Sequence, residues 1–301
     1  MKVTVLGTAN AWGPNPFLMP SPLFPLTGTL GSGRTVEIRK FRTSLLVETE
    51  DGKKILVDCG PDFSHQLKEF GFGELDAILI THPHLDHIGG LDELNLYRKT
   101  ARLPIPTYAT RACWDCIKNQ RGLGYVVDPL RLVSENVLST SAGTRSLPIG
   151  SVTVIPFDVE HHPIAPGAVG FVFEESKEGH KTRILYTGDL WAVSNPNDDL
   201  FSEPLDVAII ECDRARGLAG SAFGGGHMSF EEAVRMLRDG VLSRSRPKQV
   251  VFVHFGDDGP NGTASTYDDW RNALVDGLRA AGLQDVMWDP DKVVGYEGLV
   301  L

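Results

Sequence analysis

The sequence predicts a mixed α/β fold rich in sheet. Three observations carry that expectation. Short apolar runs of strand length recur from one end of the 301 residues to the other. Amphipathic helical patterns are interspersed among them. A composition of 42% hydrophobic and 23% charged residues supplies ample material for a core. The strand-like runs lie at 2–6, 44–48, 54–58, 77–81, 152–157, 170–174, 183–187, 207–211 and 250–255. Most are dominated by Val, Ile, Leu and Phe, which pack well on a pleated surface. Helical patterns lie at 61–70, 91–100, 111–120, 229–239 and 267–281. The fourth opens with Ser229 as N-cap and Glu232 at the capping-box position. Residues 10–39, rich in Pro and Gly and including GPNPFLMPSPLFPL, are expected to form a long irregular loop without regular ladders. Such a loop either shapes an active site or is a bare surface excursion. The whole chain, 1–301, is read as a single domain with this loop as an insertion.

With 29 basic and 39 acidic residues, the formal net charge of −10 disfavours a broad nucleic-acid surface, so a large RNA partner is not expected. A small anionic substrate fits better, because bound metal ions would make a cleft far more positive than the surface around it. No stretch approaches the roughly 20 apolar residues needed to span a bilayer, and MKVTVLGTAN has no signal-peptide pattern. A cytoplasmic location is therefore expected. Cys59 and Cys212 fall in strand-like segments, and Cys113 and Cys116 form a lone Cys-x-x-Cys, so no disulfide framework is read.

The buried-strand run 77–81 leads straight into His82-Pro83-His84-Leu85-Asp86-His87, followed by Gly89-Gly90. Imidazole and carboxylate suit zinc, manganese and iron, and four such groups leaving one strand end point to a metal site. Later strand ends add donors: Glu160-His161-His162, Gly188-Asp189 and His254. A rigid sheet can hold a side chain at such a transition while aiming it into a cleft.

HPHLDH resembles the His-x-His-x-Asp-His signature of the metallo-β-lactamase superfamily, and the later His, Thr-Gly-Asp and terminal His follow that family's order over nearly the whole chain. The resemblance implies a four-layer αββα sandwich with a pair of divalent metal ions at one edge. In that pattern His82, His84 and His161 bind one ion, Asp86, His87 and His254 the other, and Asp189 bridges them. Only one of His161 and His162 is expected to face the metals. The Val-x-His spacing of relatives favours His161, leaving His162 behind the ligand or in solvent.

The chain further resembles the branch containing the cyclic-phosphate phosphodiesterases and the transfer-RNA 3′-processing endonuclease. There a histidine preceding a helix lies near the leaving group. Gly224-Gly225-Gly226-His227-Met228-Ser229 places His227 in that position, and Asp86 and His227 are the candidate catalytic residues. Arg42, Thr43 and Ser44 are expected either to orient substrate or to support metal ligands, and strand-edge residues also serve structural ends. Asp58 resembles the family's carboxylate that orients a ligating imidazole. The cysteines that hold a structural zinc in the early loop of some phosphodiesterases are missing, and Cys113 with Cys116 lack the other two ligands such a site needs.

These readings predict a binuclear hydrolase, with a small cyclic or nucleotide-like phosphodiester as the favoured substrate. The alternatives are a lactone, thioester or other carboxyl-ester hydrolase, oxidative or other metal chemistry, and a non-catalytic metal-binding protein. Zinc or manganese is the expected metal, iron the third choice, and a homodimer is compatible with the sequence.

Overall fold

The structure, a computed structural model, describes residues 1–11, 13, 26–99, 102–214, 226–256 and 266–301. In chain order these form β1 (Lys2–Gly7), β2 (Leu26–Thr29), β3 (Thr35–Ile38), β4 (Ser44–Glu48), β5 (Lys54–Val57), α1 (Phe63–Phe70), β6 (Ala77–Leu79), α2 (Leu85–Ile88), β7 (Ile105–Thr110) and α3 (Arg111–Asp115). Then follow β8 (Val133–Leu138), β9 (Leu147–Ile149), β10 (Val152–Glu160), β11 (Val169–Lys177), β12 (His180–Tyr186), β13 (Ala192–Val193), β14 (Val207–Glu211), α4 (Phe230–Arg238), α5 (Leu242–Ser245), β15 (Gln249–Val253) and α6 (Tyr267–Ala280).

Two large sheets result, ordered β1-β4-β5-β6-β7-β8 and β13-β10-β11-β12-β14-β15, with β9 beside β10. Their packing follows from the two-residue side-chain period of a strand. Val3, Val5, Leu45, Val47, Ile55 and Val57 share one core with Val154, Phe171, Phe173 and Ile184 of the second sheet. The alternate residues Leu46, Leu56 and Ile78 turn the other way, onto Phe63 of α1 and Trp114 of α3. On the second sheet, Phe230, Ala233 and Leu237 of α4 and Trp270, Leu274 and Leu278 of α6 join the inner core's cluster. Burial of each large apolar side chain stabilises by about 1.5–3 kcal/mol, so this alternation settles which face of each strand turns inward. The layering is helix, sheet, sheet, helix, as the resemblance implies.

Strand direction positions the site. β5 and β6 are parallel, as are β12, β14 and β15. β10 is antiparallel to β11, and β11 to β12, so β10 runs in the same direction as β12. The carboxyl ends of β10, β12, β14 and β15 therefore fall on one edge of their sheet, and those of β5 and β6 on one edge of the other.

The expectation of no ladders in 10–39 is corrected: β2 and β3 pair antiparallel from Leu26↔Ile38 to Thr29↔Thr35. The Pro-rich residues 14–25 lie outside the described residues. The helical pattern at 91–100 is a 3-10 helix over Leu91–Lys99, and that at 111–120 is α3 followed by a π turn, Cys116–Gln120. Helix α4 begins as expected, with Ser229 and Glu232 forming a reciprocal capping box. No helix among the described residues is long and apolar enough to cross a membrane.

Candidate metal centre

Six strand ends deliver the site. Asp58 follows β5, His82 and His84 follow β6, His161 follows β10, Asp189 follows β12, Glu211 closes β14 and His254 follows β15. Immediately after His84, the one-turn helix α2 carries Asp86 and His87. That turn lies close against the loop after Asp58. A Cβ on Gly60 would come within 2.1 Å of the Asp86 carbonyl oxygen, and one on Gly90 within 2.1 Å of the Gly60 carbonyl oxygen. Glycine is the residue that allows this approach. Asp58 (φ 63) and His254 (φ 64) both adopt left-handed backbone, a conformation that costs a non-glycine residue on the order of 1–3 kcal/mol and concentrates at functional sites.

The side chains gather into two adjoining groups: His82, His84 and His161, and Asp86, His87, Asp189 and His254. Within each, one potential ligand atom per residue lies within 4.8 Å of the others. His161 Nε2 is 3.2 Å from His84 Nδ1. Asp189 Oδ2 is 3.0 Å from His254 Nε2, 3.2 Å from His87 Nε2 and 3.6 Å from His82 Nε2, so this carboxylate borders both groups. His82 Nε2, His254 Nε2 and both Asp189 oxygens are nevertheless buried without a hydrogen-bond partner. Leaving one buried polar group unsatisfied costs roughly 1–3 kcal/mol, and more for a charged one. Convergent lone pairs in that state fit divalent cations, and imidazole with carboxylate is a donor set for zinc, manganese or iron.

Hydrogen bonds behind the rings aim those lone pairs. His87 Nδ1 donates to Asp58 Oδ2 at 2.8 Å. The Thr81 hydroxyl donates to the same oxygen at 2.8 Å, which leaves Thr81 Oγ1 to accept from His82 Nδ1 at 3.0 Å. His161 Nδ1 donates to the Gly226 carbonyl. Each of these contacts gives the Nδ1 proton an acceptor and turns Nε2 toward the convergent groups. Burial, and secondarily the neighbouring His87, pushes His82 well below its ordinary value; burial and then His161 bring His84 down to about 3. Both are neutral near pH 7, the form a metal binds. Asp189 stays well below the usual carboxylate range, because burial, which opposes its charge, is outweighed by His254 and His87.

A third group joins Glu211 and His227 to Asp189 and His254. Glu211 Oε1 accepts from His227 Nδ1, and Glu211 Oε2 accepts from Leu190 N at 2.6 Å. Glu211 Oε1 also lies 3.3 Å from His254 Nδ1. Burial alone would lower the His227 pKa; the Glu211 charge and hydrogen bond overcome it and carry it up to about 9. The ring stacks on His254 at 5.1 Å and keeps a side-chain exposure of 27%. Glu211 was not singled out in the sequence. The only signal was a carboxylate closing an apolar run, a pattern shared by Glu48 at the end of β4.

Of the adjacent histidines, His161 enters the cluster. His162 turns aside, its Nδ1 accepting from Ile164 N at 3.3 Å. Arg42 is engaged by the Asp62 carboxylate and the Ala11 carbonyl, Thr43 donates to the Ala9 carbonyl, and buried Ser44 donates to the Val57 and Asp58 carbonyls. Ser44 thereby braces the turn that carries Asp58, and none of the three joins the convergent groups. Cys113 and Cys116 are buried free thiols outside every potential metal cluster among the described residues. Gly224 and Gly225 lie outside the described residues.

Residues 53–255 match the family model described as the beta-lactamase superfamily domain. An octanoyltransferase of Porphyromonas gingivalis (strain ATCC BAA-308 / W83) is 36% identical over 125 residues, 41% of this chain but only 25% of that protein. The anti-Pycsar protein Apyc1 of Bacillus phage 010DV004 is 29% identical over 244 residues, covering 76% of this chain and 88% of the phage protein. The crystal structure of a diphosphatase from the PhnP family superposes with a TM-score of 0.67 at 20% identity, covering 100% of this chain and 96% of that one.

Proposed function

The chain belongs to the β-lactamase superfamily and has the metallo-β-lactamase fold, and from that premise we propose that it is a binuclear metal-dependent phosphodiesterase acting on a small cyclic or nucleotide-like phosphodiester. The superfamily is hydrolytic, and the His and Asp clusters suit a metal site. The observation that carries the finer reading is the His227–Glu211 pair beside those clusters. A departing alkoxide needs a proton, and a protonated imidazole bordering the cleft is a donor for it.

Two divalent ions, zinc or manganese with iron as third choice, held by His82, His84 and His161 and by Asp86, His87 and His254 with Asp189 between, would supply a water of lowered pKa and neutralise charge on the phosphoryl oxygens. The chain's own groups do the rest. Asp58 and Thr81 fix the rings of His87 and His82 before any ligand arrives. Glu211 holds His227 by Nδ1, which makes Nε2 the atom that delivers the proton to the leaving oxygen. With its pKa near 9, His227 carries that proton at neutral pH. Deep burial of Asp189 and His254 excludes water from the floor of the site and strengthens each electrostatic contact there.

The test is a substrate screen of the purified, metal-reconstituted protein. Its members are a bis-aryl phosphate, cyclic nucleotides, cyclic ribose phosphate, lactones and β-lactams. Hydrolysis of one or more phosphodiesters is expected. Activity confined to the carbonyl substrates would overturn the phosphodiesterase reading.

A further inference from the structure

We propose that Arg121 is a positioning residue for the His82, His84 and His161 group, its guanidinium fixing the distance between the two loops that carry these histidines. The inference rests on the metal reading above. Arg121 Nε donates to the Pro83 carbonyl at 2.9 Å, and its Nη2 donates to the Ile164 carbonyl at 3.0 Å. Pro83 stands between His82 and His84, and Ile164 follows His161 and His162 in the turn closed by the Ala165 N to His162 O bond of 2.8 Å. One planar fork thus spans both loops, a geometry that the single ammonium of lysine does not reproduce.

The start of the same segment holds the far end of the second loop. The Thr110 hydroxyl caps α3 and donates to the Gly167 carbonyl at 2.8 Å. Gly167 has φ 73, and a Cβ there would meet Thr110 Oγ1 at 2.1 Å. Between Thr110 and Arg121 lies the π turn Cys116–Gln120, closed by an Arg121 N to Cys116 O bond of 2.9 Å. A π turn carries one residue more than an α turn, so it rotates position 121 away from its place in a continued α-helix, a device common at functional sites. The Val169 N to Thr81 O bond of 2.9 Å ties the strand ends together, and Arg121 ties the loops beyond them. The tie acts where the two loops meet. His84 Nδ1 and His161 Nε2 face each other at 3.2 Å, within hydrogen-bond reach when one of them carries a proton, and both must present lone pairs to hold an ion. Arg121 holds that pair near the spacing a shared ion requires.

The experiment titrates chelator-stripped protein with Zn²⁺ by calorimetry, and with Co²⁺ by absorption, for wild type, Arg121→Met and Arg121→Lys. Wild type should show two binding events. In both variants one event should weaken by roughly 10–100-fold, the usual cost of losing a group that orients ligands, while the other changes by less than about twofold. The Co²⁺ spectrum should lose the contribution of that one site. In the His161→Ala background, Arg121→Met should weaken binding no further, because the two act on one site. If Arg121→Met fails to fold, Arg121→Lys alone must show the same selective loss. Two wild-type affinities in both variants, or equal weakening of both events, would overturn the inference. A wild-type chain that binds less than one ion would instead sink the metal reading itself, and Arg121 with it.

Discussion

Asp58 Oδ2 lies 2.8 Å from His87 Nδ1, and the same buried carboxylate accepts from Thr81 N and the Thr81 hydroxyl, each at 2.8 Å. Asp58→Asn keeps the shape but turns an amide N–H toward a ring nitrogen that must donate. His87 would then move its proton to Nε2, the atom facing Asp189. The variant should lose metal affinity by roughly 10–100-fold, read as metal retained after gel filtration; full retention would exclude an orienting role.

For His227 the expectation concerns the leaving group. His227→Ala should lower turnover of a diester with an alkyl leaving group by about 10²–10⁴-fold. The effect on a nitrophenyl diester, whose leaving group needs no proton, should be much smaller. Metal content should not change. Equal losses on the two substrates would remove the acid role.

Metal removal should destabilise the fold, because cations that bind only the native chain stabilise it by mass action. At free metal of 100 times the dissociation constant the gain is about 2.7 kcal/mol. A thermal melt with and without chelator, followed by Zn²⁺ or Mn²⁺ addition, checks this. Superimposable melts would mean that no tight site exists.

Gly60→Ala would press a methyl group onto the Asp86 carbonyl, 2.1 Å from the ideal Cβ. Relieving such overpacking typically costs about 1–3 kcal/mol, and here it must move α2 with Asp86 and His87. Lower denaturant midpoint and lower metal affinity should appear together; a silent substitution would show that the contact is loose.

Glu297 gives a pH test away from the metal groups. Its Oε1 accepts from Thr8 Oγ1 at 3.0 Å and from Lys40 N at 3.1 Å. Burial nevertheless dominates and pushes the carboxyl from 4.5 up to about 8. Between these values the folded chain holds a proton that the unfolded chain has released, so this contribution is complete below pH 4.5 and is lost as pH rises through about 8. A tenfold change in proton affinity corresponds to about 1.4 kcal/mol, so the whole effect is on the order of a few kcal/mol. Glu297→Gln should lack that decline. Stability of the two proteins measured by urea unfolding from pH 4 to 9 decides, and parallel curves would reject it.

Much of the site was legible because its strands are unbroken apolar runs, so a polar residue at their ends stands out. His82 after Ile78, Leu79 and Ile80 and His254 after Val250 to Val253 are of this kind. β7 and β8 escaped notice because IPTYAT contains a proline and VSENVL is half polar. The β2–β3 hairpin was hidden by the Pro-rich context of its first strand. Glu211 was illegible for a different reason: only the fold brings it to His227, 16 residues on. Arg121 reaches backbone carbonyls 38 and 43 residues away, and a carbonyl leaves no mark on sequence.

Gly226 contributes one peptide unit to two tasks. Its carbonyl receives His161 Nδ1, and the next residue is His227, held by Glu211. A Cβ at 226 would lie 3.1 Å from His161 Nδ1. The connection works as an interlock. If this peptide shifts, His161 loses its brace as His227 leaves its place, so under the proposed function the two roles fail together. Any redesign of the site must therefore keep this peptide in place.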